Sequence, residues 1–120
     1  MSGAQLLLNA GDTEGACNRA YYAMFDAAHA ALFALGVEAT NAPIKTHNGL
    51  IGQFGLHLVR GNHLAAEYGE ALNTVQRYRQ VADYSGDPVS IADATWALER
   101  AAAFIAAIKI LLANSVLQAR

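Results

Sequence analysis

The chain is poor in the residues that mark several protein classes. It has one cysteine, two prolines and no long uninterrupted apolar run in 120 residues. A lone cysteine, Cys17, builds no internal disulfide framework. That usage fits a reducing cytoplasm, and Cys17 itself reads as a small core residue rather than a nucleophile. Scarce proline with 54% apolar residues excludes a disordered, proline-rich chain. Charge of one sign does not dominate: 8 basic against 10 acidic residues give a net −2, so no global basic field exists to hold a nucleic-acid duplex. A local basic patch can still hold a few phosphates. The stretches "AAHAALFALGV" and "AAAFIAAIKILLA" carry His29 and Lys109 and fall short of the roughly 20 apolar residues that a membrane span needs. The N-terminus lacks the charged segment of a signal peptide. His47, His57 and His63 show no H-x3-H spacing, and no phosphate-cradling glycine loop follows a strand. The expectation is one cytoplasmic domain over residues 1–120, away from membranes, with no metal and no cofactor.

What is present is helical spacing almost throughout, with no convincing period-two alternation. The pattern predicts an all-α chain of about five helices. A short first helix over "AQLLLNA" stops at Gly11. Asp12 or Thr13 caps a second helix reaching about Leu35, with Gly36 as its stop. Asn41 and Pro43 break the connection that follows. Thr46 caps a third helix to about Arg60, with Leu50, Ile51, Phe54 and Leu58 inward. Gly49, Gly52 and Gly55 lie along it, each costing about 1 kcal/mol against alanine. They leave two readings: a groove for a neighbouring helix, or fraying into a loop. A fourth helix spans about His63 to Tyr84, and "SGDP" ends it. Ser90 with Asp93 resembles a capping box for a fifth helix to about Leu117, unless it breaks near Asn114. Its stripe is Ile91, Ala94, Leu98, Ala101, Ile105, Ile108 and Leu112. A second face, with Trp96, Ala103, Phe104 and Ala107, suggests an isologous dimer.

The fourth helix carries the main anomaly. Tyr68, Leu72, Val75 and Arg79 share one face, so Arg79 interrupts an apolar stripe, whereas Arg77 sits on the polar face. A guanidinium cannot shed its charge, and burying it unpaired is expensive. A surface pair with Asp83 is worth only about 0.2–0.5 kcal/mol, in the weaker order. Either Arg79 is a structural ion, or Arg79, Asp83 and Tyr84 line a cleft. On the second helix, Arg19, Tyr22, Asp26 and His29 fall on one face. They read as a structural network of Arg19 with Asp26, or of Asp26 with His29. Alternatively, Asp26 is the buried partner of an arginine on the fourth helix.

The stretch "AGDTEGACNRAYYAMFDAAHAALFALG" resembles the second helix of small prokaryotic HEPN domain proteins. "R-x3-D-Y-S-G", from Arg79 to Gly86, resembles the end of their fourth helix, and the "A-A-x-F-I" pattern ends at Ile105. The likeness runs from about Leu7 to Ile110. It implies an up-and-down bundle of about five helices that dimerises, in which paired R-x4–6-H motifs cleave RNA without metal. The arginine would stabilise phosphoryl charge and the histidine would assist proton transfer. Here Arg79 is present but no histidine follows within six residues; Asp83 and Tyr84 stand in that place. The resemblance further implies a toxin–antitoxin-like pair with a small nucleotidyltransferase, with Tyr84 as the counterpart of a tyrosine that such a transferase modifies. The candidate catalytic residues are Arg79, Asp83 and Tyr84. RNA or nucleotide contacts fall to Arg79, Arg77 and Tyr84, with Arg19, Tyr22 and Asp26 in support. The rival is a non-catalytic helical partner of a nucleotidyltransferase.

Overall fold

A computed structural model describes residues 2–37 and 46–118, and among these every side chain except those of Asp83 and residues 115–118. The breakers Asn41 and Pro43 lie outside the described residues. Five helices and no strand occur among the described residues. They are α1 (Ser2–Asn9), α2 (Thr13–Ala34), α3 (His47–Phe54), α4 (Ala66–Ser85) and α5 (Ile91–Gln118).

Local chemistry sets most of the boundaries. Gly11 turns the chain after α1 at φ +86°, a left-handed conformation that favours glycine. The Asp12 carboxylate accepts the Gly15 N–H at 2.9 Å and starts α2. Thr46 Oγ1 accepts the Gly49 N–H at 2.9 Å and starts α3. Ser90 Oγ accepts the Asp93 N–H at 3.0 Å and starts α5. Each such cap is worth about 1 kcal/mol.

The alanines explain how the bundle closes. Ala16, Ala20, Ala28 and Ala31 of α2 are fully buried, as are Ala94, Ala97 and Ala101 of α5. These two helices share the most extensive packing in the fold, because a methyl side chain lets backbones approach closely. Larger side chains fill the remaining space: Tyr21, Met24 and Leu32 from α2, Leu50, Phe54 and Leu58 from α3 and the turn after it, Leu72 and Val75 from α4, Phe104 and Ile108 from α5. Phe54 stacks on Phe104 with centroids 5.1 Å apart.

The structure departs from the sequence reading at several points. Helix α4 begins at Ala66, not His63. Asn62 takes φ +63°, and the Leu58 carbonyl accepts the N–H groups of both His63 and Leu64. Those two residues therefore wrap the end of the preceding helix instead of starting the next. The fraying reading of α3 does not hold, since Gly55–Val59 continues the helix as a wider π-type turn. A Cβ at Gly52 or Gly55 would meet nothing within 4 Å among the described residues. Phe104, expected on an outer face, is fully buried, whereas Ile91, expected inward, is 71% exposed. Phe104 lies three residues after Ala101 and four before Ile108, hence on the inward stripe. Helix α5 runs past Asn114 without a break.

Candidate functional site

Arg79 sits where the buried stripe of α4 nears the end of the helix. Leu72 and Val75 below it are fully buried, and Arg79 itself is half-buried. Its guanidinium packs against two neighbouring rings of α2, 5.0 Å from the Tyr21 centroid and 5.5 Å from the Tyr22 centroid. Its Nη1 also donates to the Tyr22 hydroxyl at 3.4 Å. The aromatic faces turn negative quadrupole towards the cation.

A histidine from a third helix completes the cluster. His47, the first residue of α3, stacks on Tyr21 at a centroid distance of 5.5 Å and lies 4.8 Å from the Phe25 ring. Its Nδ1 is 2.7 Å from the Tyr21 hydroxyl. Burial, with the nearby Arg79 charge, lowers the His47 pKa from its ordinary 6.5, which favours the neutral imidazole. Burial pushes the Tyr21 hydroxyl up to about 12 against a smaller opposing pull from Arg79, so that hydroxyl keeps its proton.

Two open cavities flank Tyr22. One, about 310 Å³, is lined by Glu14, Gly15, Asn18, Tyr22, Arg79, Ala82 and Val89. The other, about 330 Å³, brings Arg19, Tyr22 and Asp26 together beside Gly3 and Ala4. The supporting trio of α2 therefore shares a cavity wall, but not as the expected network. No ion pair joins Arg19 to Asp26 among the described residues. Arg19 lies across Gly3, where a Cβ would come within 2.8 Å of its Nη1. Asp26 is exposed and is not a buried partner for an α4 arginine.

Two further candidates, Arg77 and Tyr84, stand apart from the Arg79 cavity. Arg77 is exposed, and its Nη2 donates to Thr74 Oγ1 at 3.4 Å. Tyr84 is 89% exposed and does not line the Arg79 cavity. The Asp83 side chain lies outside the described residues. No group of three histidine, cysteine, aspartate or glutamate side chains gathers as a metal-ligand set among the described residues, and no described helix is long and apolar enough to cross a membrane.

Cys17 is fully buried in the core. Burial, then the Asp93 charge, raises its thiol to about 11. Burial, then the nearby Asp93 charge, raises the Tyr78 pKa. Tyr78 also meets the Trp96 ring edge-on at 6.0 Å. These contacts tie α4 to α5 behind the Arg79 face.

Sequence reasoning missed Tyr21 and His47. The helical spacing of α2 draws attention to Tyr22 rather than Tyr21, and the histidine spacing bears on His47 only as a metal ligand. No local pattern links position 47 to position 79; only the packing of three helices brings them to one ring.

Comparison with known proteins agrees with this architecture. The family model described as HEPN domain matches residues 1–111. A UPF0332 protein of Gloeobacter violaceus is 34% identical over 86 residues, covering 72% of this chain and 64% of the relative. A UPF0332 protein of Pyrococcus horikoshii is 38% identical over 72 residues, covering 60% of this chain and 47% of the relative. A Methanocaldococcus jannaschii protein named "putative toxin" is 31% identical over 109 residues, covering 91% of this chain and 78% of its own length. The chain thus spans less than two thirds of the two UPF0332 proteins. No solved structure matches it. With its all-helical bundle and a family match over nearly its whole length, the chain belongs to the HEPN domain family.

Proposed function

We propose that this HEPN protein is a toxin-like, metal-independent endoribonuclease that holds an RNA phosphate at Arg79 and works as a dimer. The observation that carries the reading is the half-buried guanidinium resting on two tyrosine rings at the edge of a polar cavity. A fixed positive charge in a partly dry setting is worth more to a phosphoryl oxygen than one in water. In the reaction the 2′-oxygen bonds to the adjacent phosphorus, the P–O5′ bond breaks, and the proton lost at O2′ is balanced by one gained at O5′. The products are a 2′,3′-cyclic phosphate and a 5′-hydroxyl, and Arg79 neutralises charge on the phosphoryl oxygens meanwhile. Exposed Tyr84 offers a ring on which a base leaving the cavity can stack. Arg77 adds a second cation on the same helix, and Asp83 stays with Tyr84 as a candidate proton-transfer group. Val81, Tyr84 and Ile91, all exposed around the α4–α5 turn, offer a surface for a second copy or a small nucleotidyltransferase.

The test is cleavage of end-labelled single-stranded RNA in EDTA. Wild type should cleave it, and Arg79→Ala, still folded, should lose about 10²–10³ in rate. A purified protein that neither binds nor cleaves RNA overturns the reading. The same guanidinium packing also favours a second reading, a non-catalytic helical partner of a nucleotidyltransferase with Arg79 as a structural cation. Loss of folding in Arg79→Ala, with RNA affinity unaltered in Arg79→Lys, would favour it.

A further inference from the structure

His47 is not used by the reading above, yet it flanks the same Tyr21 ring as Arg79. The Tyr21 side chain is fully buried, and its hydroxyl has no described hydrogen-bond partner besides His47 Nδ1, at 2.7 Å. A buried hydroxyl that must place its proton has one acceptor within reach. The phenol therefore donates, Nδ1 accepts, and the imidazole proton resides on Nε2. The two ring nitrogens point in nearly opposite directions. With Nδ1 turned towards a buried group, Nε2–H lies on the other side of the ring of a half-buried residue, and that ring meets Tyr22, a wall of both cavities, at 5.9 Å. No described group bonds to Nε2.

We propose that His47 is a second phosphate-oxygen donor of the Arg79 site: buried Tyr21 fixes its tautomer, and Nε2–H is presented to the RNA backbone beside the guanidinium. The inference rests on the RNA reading and adds to it a neutral donor drawn from a different helix. Tyr21 is then a positioning residue, acting through His47. A neutral N–H and a cation differ in one measurable respect. Only the cation releases a counterion when it meets a phosphate, about 0.7 of one per contact on a single strand.

Two measurements on the purified protein test this at pH 7.5, with a 2′-O-methylated single-stranded oligonucleotide that cannot be cleaved. Long-range ¹H–¹⁵N correlation spectra should show His47 protonated on Nε2, with that nitrogen moving on titration. Binding by His47→Ala should weaken about tenfold with the salt slope unchanged, whereas Arg79→Ala should flatten the slope by about 0.7. His47→Asn can accept from Tyr21 and still offer an N–H, and should keep more affinity than His47→Ala. That variant separates lost donation from lost folding. A proton on Nδ1, or His47→Ala within twofold of wild type while Arg79→Ala is impaired, overturns the inference and leaves the RNA reading standing. Wild type that binds no oligonucleotide overturns both.

Discussion

The Arg79 guanidinium lies 5.0 Å from the centre of the Tyr21 ring, and the hydroxyl of that ring lies 2.7 Å from His47 Nδ1. One buried aromatic side chain thus joins a cation of α4 to an imidazole of α3. Packing a cation over a ring stabilises by about 0.5–1 kcal/mol when exposed and about 2 when desolvated. A half-buried arginine over two rings falls in this range. Arg79→Ala should therefore lower stability by about 1–2 kcal/mol in urea titration and leave a folded protein, since whole domains have about 5–15 kcal/mol in hand. Arg79→Lys keeps the charge but loses the flat face, and should fall between. A variant that is unfolded in buffer would mean that the arginine is chiefly structural.

His47 makes stability depend on pH in a predictable direction. Its pKa in the folded state lies below the ordinary 6.5. As pH falls through that ordinary value the unfolded chain takes up a proton that the folded chain refuses. The unfolded state then binds more protons, so stability drops with falling pH and levels off below the folded pKa. The urea midpoint should decline from pH 7.5 to 5.5, and His47→Gln should flatten that decline. A parallel curve for the variant would show that the imbalance resides elsewhere.

The sequence announced what is encoded within a few residues. Asp12, Thr46 and Ser90 each precede a helix and bond an amide three residues on. Gly11, Gly36 and Gly86 each take a left-handed conformation that ends a helix. Arg79 stood out because a charge on an apolar stripe is a local contradiction. What escaped was tertiary. His47 and Tyr21 are 26 residues apart and carry no shared spacing. The start of α4 was misjudged because Leu58 recruits His63 and Leu64 backward, a competition that periodicity does not register. Tyr84 followed a helix that ends in solvent, so adjacency to Arg79 along the chain did not become adjacency in space.

At high pH the buried thiol and phenol should dominate. Cys17 is raised from 9.0 to about 11, and Tyr21 from 10.0 to about 12. Between about pH 9 and 12 the unfolded chain loses protons that the folded chain retains, Cys17 over the lower part of that window and Tyr21 over the upper. Stability should therefore fall as pH rises through that window. Cys17→Ala should show a shallower fall, and the native thiol should react slowly with a disulfide probe at pH 8. Rapid labelling without unfolding would contradict the buried position.

Phe104 and Trp96 separate the core of the bundle from its outer face on one helix. Phe104 is fully buried against Phe54, whereas Trp96 is 36% exposed and rests on Tyr78. Truncating a buried phenylalanine to alanine removes about 3–5 kcal/mol, through lost transfer energy and the cavity left behind. Phe104→Ala should therefore shift the urea midpoint far more than Trp96→Ala, at every protein concentration. If Phe104 instead lay across a two-fold interface, its variant would lower the dimerisation constant and leave the folded monomer's midpoint nearly unchanged. Size-exclusion chromatography alongside denaturation distinguishes these outcomes, because core loss shows in the midpoint and interface loss in the elution volume.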